Sequence, residues 1–249
     1  MFIDTHLHIK KDNIEKIIKG AKENNVGMLI ASGCDREEII ELLDVLNNYD
    51  ELYATIGFHP SEADKVSDLD ILWLEQQIGI NKKILGVGEI GLDFYYGKDN
   101  KEEQIALFKK QLDLAQKLCM PVVIHTRDAF KDTYDILKNY NLRGIIHCFS
   151  GSLEVANLYI NLGYALGIGG VITFRNSNLG AVVEKISLEN IVLETDSPYL
   201  SPEPYRGSEN SSKNIPIIAD KISKVKKIST KDVEMITCAN VSRIFDLKK

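Results

Sequence analysis

The chain lacks several features that would settle its class at once. It has only four cysteines in 249 residues, Cys34, Cys119, Cys148 and Cys238. They are scattered and show no C-x-x-C spacing, which speaks against a disulfide or thiolate-metal framework. They read instead as reduced, mostly buried small apolar residues of a cytoplasmic protein. There is no basic excess: 30 Lys and Arg stand against 36 Asp and Glu, a formal net charge of −6. A broad basic surface for gripping duplex DNA is therefore not expected, although a nucleic acid could still be held locally by bound metal ions. No apolar run approaches membrane-spanning length, and no basic and apolar leader precedes the first strand, so no membrane association is expected. Repeats, low-complexity tracts and an interdomain linker are missing too. With 44% hydrophobic and 27% charged residues the composition is ordinary for a globular protein, and residues 1–249 read as one domain.

Apolar runs of strand length alternate with helical patterns along the chain. The strand candidates are Phe2–His8, Met28–Ser32, Tyr53–Gly57, Ile84–Gly88, Pro121–Ile124, Gly144–Ile146, Tyr164–Ile168 and Ile191–Asp196. The spacing predicts helices over 12–25, from Asp35 (with Glu38 completing a capping box), 67–79, from about 101, 129–139, from Ser152 to about 162, 179–186, 215–227 and 231–245. In the 67–79 helix, Leu69, Leu72 and Trp73 are expected on the apolar side. In the helix from about 101, Ile105, Phe108, Leu112 and Ala115 form one stripe. Residues 201–213 read as a loop. Eight strands alternating with helices predict an α/β fold, a closed (β/α)8 TIM barrel, with a doubly wound open sheet as the alternative.

Histidine is also scarce, and its placement is the informative fact. All five histidines, His6, His8, His59, His125 and His147, fall at or just beyond the C-terminal end of a predicted strand, as do Glu89 and Asp196. In a parallel barrel those ends converge on one face, where active sites are built. Imidazoles suit zinc and other late transition ions, and a carboxylate can bridge two cations. So many ligands exceed what one catalytic zinc with an open position needs. They fit a pair of divalent ions ~3.5–4 Å apart, with Zn, Mg, Mn or Ni all compatible.

Two other patterns carry less. Gly86-Val87-Gly88-Glu89-Ile90-Gly91 matches G-x-G-x-x-G, but no helix opens there to meet a pyrophosphate, and Glu89 would repel one. The lysines of 221–227 read as the solvated face of a helix. Tyr95 and Tyr96 read either as packing residues or as a surface on which a base can stack.

With these residues assembled, the sequence resembles the TatD family of metal-dependent deoxyribonucleases, a branch of the amidohydrolase superfamily. The resemblance runs nearly end to end. It rests on Asp4-Thr5-His6-Leu7-His8, Gly57-Phe58-His59-Pro60, Gly88-Glu89-Ile90-Gly91-Leu92-Asp93, Val123-Ile124-His125-Thr126-Arg127, His147-Cys148-Phe149-Ser150-Gly151, Glu194-Thr195-Asp196-Ser197-Pro198-Tyr199 and Arg206-Gly207. It implies that His6, His8 and Asp196 hold a first metal, that His125 and His147 hold a second, and that Glu89 bridges the two. Asp196 would also orient the attacking water and take its proton, and His59 would face the scissile phosphate. Arg127 and Arg206 are the implied phosphate-binding residues, each with a plain salt bridge as its alternative. Asp93, Ser150 and Glu194 would hold the ligands in place. The chain departs from the family after Arg206-Gly207, where Glu209-Asn210-Ser211-Ser212 replaces a common Asn-Glu-Pro.

The function expected on these grounds is metal-dependent hydrolysis of phosphodiesters, as a 3′ to 5′ exonuclease on single-stranded DNA. Attack at a carbonyl is the alternative, for instance deacylation of a D-aminoacyl-tRNA or cleavage of a small phosphoester or amide. A metal-dependent binding module without turnover is the rival from another class. The partner expected is a nucleic-acid substrate, DNA or aminoacyl-tRNA, with no obligate protein partner.

Overall fold

The computed structural model describes residues 1–97 and 99–247. Among them, strands and helices alternate as β1 (Phe2–Leu7), α1 (Ile14–Glu23), β2 (Val26–Gly33), α2 (Arg36–Leu46), β3 (Leu52–Ile56), α3 (Asp68–Ile80), β4 (Ile84–Asp93), α4 (Lys101–Leu118), β5 (Val122–Arg127), α5 (Phe130–Leu137), β6 (Gly144–Ile146), α6 (Leu153–Asn161), β7 (Tyr164–Ile168), α7 (Leu179–Lys185) and β8 (Ile191–Leu193). Two further helices, α8 (Ile215–Lys226) and α9 (Thr230–Ile244), follow. The strands pair in sequence order from β1 to β8, every pair parallel. This is the expected (β/α)8 barrel and not the open sheet.

The ring closes between β1 and the segment just after β8. Leu7 bridges Ser197, Asp196 N–H donates to His6 O at 2.9 Å, and His8 N–H donates to Ser197 O at 2.7 Å. Asp4 reinforces the seam from inside, its carboxylate accepting from Thr195 N–H at 2.9 Å and Thr195 Oγ1 at 2.6 Å. Burial raises the Asp4 carboxyl to about 6 against the pull of those donors.

Apolar packing falls into two layers. The larger lies between the outer strand faces and the helices. A smaller cluster of Ile30, Val123, Ile145, Ala165 and Val192 is met by Val241, Ile244 and Phe245 from the end of α9. Alternation puts residue i+2 on the same face of a strand. Two residues beyond four members of that cluster stand Ser32, His125, His147 and Glu194. The apolar filling therefore gives way to polar groups towards the C-terminal mouth.

Several local expectations change. β4 does not stop at Glu89 but runs on to Asp93, with a register break between Val87 and Ile90 against β5. All three glycines of the G-x-G-x-x-G pattern lie inside this strand, where they allow close contact with β5. At Gly91, with φ +150°, a Cβ would stand 1.9 Å from His125 O. On α3 only Leu74 is buried, while Leu69 is 75% and Leu72 53% exposed. The expected apolar side faces outwards, and half-buried Trp73 packs under the Arg36 guanidinium at 4.3 Å. Asp35 does cap α2, accepting from Glu38 N–H at 2.8 Å, but the Glu38 carboxylate reaches back to Cys34 N–H at 3.1 Å, so the box is displaced by one residue. Of the cysteines only Cys34 is buried, and Cys119 is exposed. Lys226 of the basic α8 stretch is half-buried and donates to carbonyls at the end of α7.

The β4–β5 contact makes a direct prediction. Gly91→Ala must push the strands apart at His125, and is expected to cost about 2–5 kcal/mol. The urea midpoint should fall accordingly, and a midpoint equal to wild type would contradict the close approach.

Candidate active site

The mouth of the barrel brings six of the sequence-predicted residues into one cluster. His6 lies near the end of β1 and His8 one residue beyond it. Glu89 sits at the register break of β4, where the irregularity re-aims a side chain. His125 lies within β5, His147 one residue past β6, and Asp196 three residues past β8. Asp196 has φ +55°, a left-handed backbone on a non-glycine residue of the kind found at functional sites.

Glu89 is the hub. Its Oε1 lies 2.6 Å from His125 Nδ1 and 2.8 Å from His147 Nε2. Its Oε2 lies 3.3 Å from His6 Nε2 and 4.0 Å from His8 Nε2. Asp196 Oδ1 faces the same pair, 3.7 Å from His6 Nε2 and 3.6 Å from His8 Nε2. Three overlapping triads, His6–His8–Glu89, His6–His147–Asp196 and Glu89–His125–His147, each place their ligand atoms within 4.8 Å of one another.

The surrounding residues orient the rings. His6 Nδ1 meets Ser32 Oγ at 3.2 Å, and Ser32 in turn meets Thr55 Oγ1 at 2.8 Å, all buried. That leaves His6 Nε2 buried without a hydrogen-bond partner and facing the carboxylates. Asp93 Oδ2 lies 3.2 Å from His125 Nε2, so Nδ1 of that ring turns to Glu89. Glu194 Oε1 accepts from Cys148 N–H and stands 3.8 Å from His147 Nδ1. Cys34 Sγ touches both Glu89 Oε2 at 3.5 Å and His8 Nδ1 at 3.8 Å. With His8 and Glu38 it forms a further triad of possible ligands, as do His59, Asp93 and His125.

The electrostatics favour a cation. Burial alone would lower the basicity of His147, but Glu89, Glu194 and Asp196 outweigh it and lift the imidazole to about 10. His6, more enclosed and stacked on His147 at 4.1 Å, is pushed by burial down to about 4. Burial would raise Glu89, yet the flanking His147 and His6 hold it well below the usual carboxylate range. Burial, with Asp196 and Asp4 nearby, raises Glu194 to about 8. A concave acid-and-imidazole site that draws a proton onto His147 will draw a divalent ion more strongly, because neutral imidazole and ionised carboxylate are the forms that ligate. The orphaned His6 Nε2 and the donor set both fit such an ion.

A cleft of about 760 Å³ opens above the cluster, lined among others by His59, Tyr96, Arg127, Ser150 and Tyr199. His59 Nδ1 accepts from Ser61 N–H at 3.1 Å, and its ring packs edge-on to His125 at 4.6 Å. Arg127 is exposed and stacks on Tyr95, its Cζ 3.5 Å from the ring centroid. Arg206 is not brought into this lining. It is exposed and lies over Phe174 at 3.7 Å. Ser32, Thr55 and Cys34 escape the sequence reading, although Ser32 obeys the rule that singled out the histidines: a polar residue closing an apolar strand.

The hydroxyl behind His6 is open to test. Ser32→Ala frees Nδ1 and the ring orientation, and is expected to weaken metal binding about 10- to 100-fold. Competition with a chromophoric chelator measures this directly, and unchanged affinity would remove Ser32 from the site.

Comparison with known proteins places this geometry. A family model described as TatD related DNase matches residues 3–246. The uncharacterized metal-dependent hydrolase YabD of Bacillus subtilis is 34% identical, the alignment covering 98% of this chain and 99% of that protein. The crystal structure of YjjV, a TatD homologue from Escherichia coli, superposes with a TM-score of 0.94 at 30% identity, over 99% of this chain and 98% of that one. A TatD family hydrolase from Entamoeba histolytica gives 0.86 at 25% identity, over 98% and 97% of the two chains. Sequence over almost the full length and a barrel that superposes as closely make this chain a member of the TatD family of metal-dependent hydrolases.

Proposed function

We propose that the protein is a two-metal phosphodiesterase that removes nucleotides from the 3′ end of single-stranded DNA. The observation that carries this reading is the divided carboxylate of Glu89, with Oε2 turned to His6 and His8 and Oε1 to His125 and His147. One side chain thus joins two nests: His6, His8 and Asp196 on one side, His125 and His147 on the other. A pair of divalent cations bound there would lower the pKa of a coordinated water towards ~7 and draw charge from a phosphoryl oxygen.

The chain's own groups supply the remaining functions. Asp196 turns Oδ1 to the histidines, and its second carboxylate oxygen takes the proton of the attacking water. At His59 the Ser61 N–H occupies Nδ1, which puts the ring proton on Nε2. Burial pushes this imidazole down to about 4, so near neutrality it is an uncharged donor to a phosphoryl oxygen. Arg127, on the cleft wall, offers a planar fork that matches phosphate. Asp93 and Glu194 hold the His125 and His147 rings, and Ser150 lines the approach. Arg206 would have to swing off Phe174 to reach the same phosphate. A cleft of about 760 Å³ over buried ligands suits a strand end better than an intact duplex. The net charge of −6 points the same way.

The test combines metal analysis with a substrate panel. Purified protein, stripped by chelator and reloaded with Zn, Mg, Mn or Ni, is offered end-labelled single- and double-stranded DNA, RNA and D-aminoacyl-tRNA. Two metal equivalents per chain and stepwise shortening from the 3′ end of single strands are expected, lost on chelation and restored by metal. Asp196→Asn should lower kcat by about 10²–10⁴-fold with an unchanged circular dichroism spectrum. Glu89→Gln should lower metal content as well as turnover. Deacylation of the charged tRNA with DNA left intact would replace this reading by attack at a carbonyl, and full activity of Asp196→Asn would refute the proton-acceptor role.

A further inference from the structure

The sequence contains 10 Tyr, 8 Phe and one Trp. Among the described residues the large exposed aromatics are four tyrosines: Tyr95 at 54%, Tyr96 at 89%, Tyr199 at 60% and Tyr205 at 51%. All four lie on two segments, those that leave the C-terminal ends of β4 and β8. The exposed large apolar residues of the helices are aliphatic, such as Ile40, Leu69 and Met235. A ring left in water gains nothing from burial, so packing does not account for this concentration at the mouth.

Position does. In a ring of eight strands β4 and β8 stand opposite each other. Tyr96 and Tyr199 both line the cleft, and both Glu89 and Asp196 line it too. Tyr199 approaches His8 edge-on at 6.0 Å, which ties that wall to the ligand cluster. On the other wall Tyr95 and Tyr96 meet edge to face at 4.8 Å, and Arg127 covers Tyr95 at 3.5 Å. The guanidinium reaches Tyr96 only at 5.7 Å, and Tyr96, much more exposed than the closely covered Tyr95 and part of the cleft lining, is the platform left for a ligand.

We propose that Tyr96 and Tyr199 are base-stacking platforms on opposite walls of the cleft, taking the unpaired nucleobases on either side of the scissile phosphate. The inference rests on the phosphodiesterase reading above and deepens it. Stacking accepts any base, because every base has a flat π face, and it requires bases freed from a duplex. It also gives a protein with an excess of acidic residues a source of affinity that does not depend on phosphate charge. Arg127 then acts on the phosphate between the two bases, its plane held by Tyr95.

The experiment uses the metal-loaded enzyme and single strands whose last two nucleotides carry either thymine or 5,6-dihydrothymine, which keeps the hydrogen-bonding edge but is not flat. Wild type should show a KM about 5- to 100-fold lower for thymine ends, the equivalent of stacking one base. Tyr96→Ala and Tyr199→Ala should each shrink that preference, while Tyr96→Phe and Tyr199→Phe, which keep the ring, should retain it. A 2-aminopurine placed at the end should lose fluorescence on binding wild type and the Phe variants, and less on binding the Ala variants. If wild type cleaves both strands with equal KM, or the Ala variants keep the full preference, stacking is refuted and the phosphodiesterase reading survives. If no strand is cleaved with any metal, that reading falls and this inference with it.

Discussion

A buried carboxylate shared between two pairs of imidazoles governs this molecule. Glu89 is 3% exposed, and a lone ionised carboxylate at that depth would be driven to protonate. It stays charged because imidazoles surround it, His125 and His147 on one oxygen and His6 and His8 on the other, and the nearby carboxylates raise the basicity of His147, His125 and His8. The same imidazoles hold Asp196 below its ordinary range, while burial raises Glu194 behind them. The carboxylates around His147 draw it up, while burial and the neighbouring His147 push the deeper His6 down. A divalent cation corrects the balance more completely than a proton, and metal dependence follows from the charge of the site.

The barrel meets the demands of that cluster at its seam. β1 carries His6 and leads into His8, and the chain after β8 carries Asp196. The last turn of ring closure therefore sets the distance between the two ends of the ligand set. Asp4 and Thr195 join inside the seam, and Thr5 Oγ1 reaches Leu193 O at 3.0 Å. These polar contacts are buried, so each is costly to leave unmade. They hold the site at the seam where the ring closes. On the far side the glycines of β4 let that strand lie against β5, which brings Glu89 within 2.6 Å of His125.

Much of this was legible in the order of residues. Each apolar run of strand length became a strand, and the histidines that close those runs came together, since parallel strands in a ring must all end on one face. Other local expectations failed for identifiable reasons. Leu69 and Leu72 share a helix with Leu74, and helical spacing alone does not say which side of an apolar helix meets the sheet. Glu89 sits inside a longer strand than expected, because the glycines that look like a loop signal serve close packing of strand on strand. Arg206 has the right chemistry for phosphate but lies on Phe174, outside the cleft lining. Ser32, Thr55 and Cys34 carry no pattern of their own and are visible as part of the site only once β2 and β3 stand beside β1.

The sequence by itself determined the class of fold, the metal-dependent hydrolase family and which histidines and carboxylates close the strands, because strand periodicity, strand ends and ligand type are properties of short segments. Only the tertiary structure decided which oxygen of Glu89 faces which histidine, which ring nitrogen of His6 is tied to Ser32, and which of two arginines shares the cleft with Tyr96 and Tyr199. Those facts depend on distances between segments far apart in the chain, and such distances are set by ring closure and strand register, which no local pattern encodes.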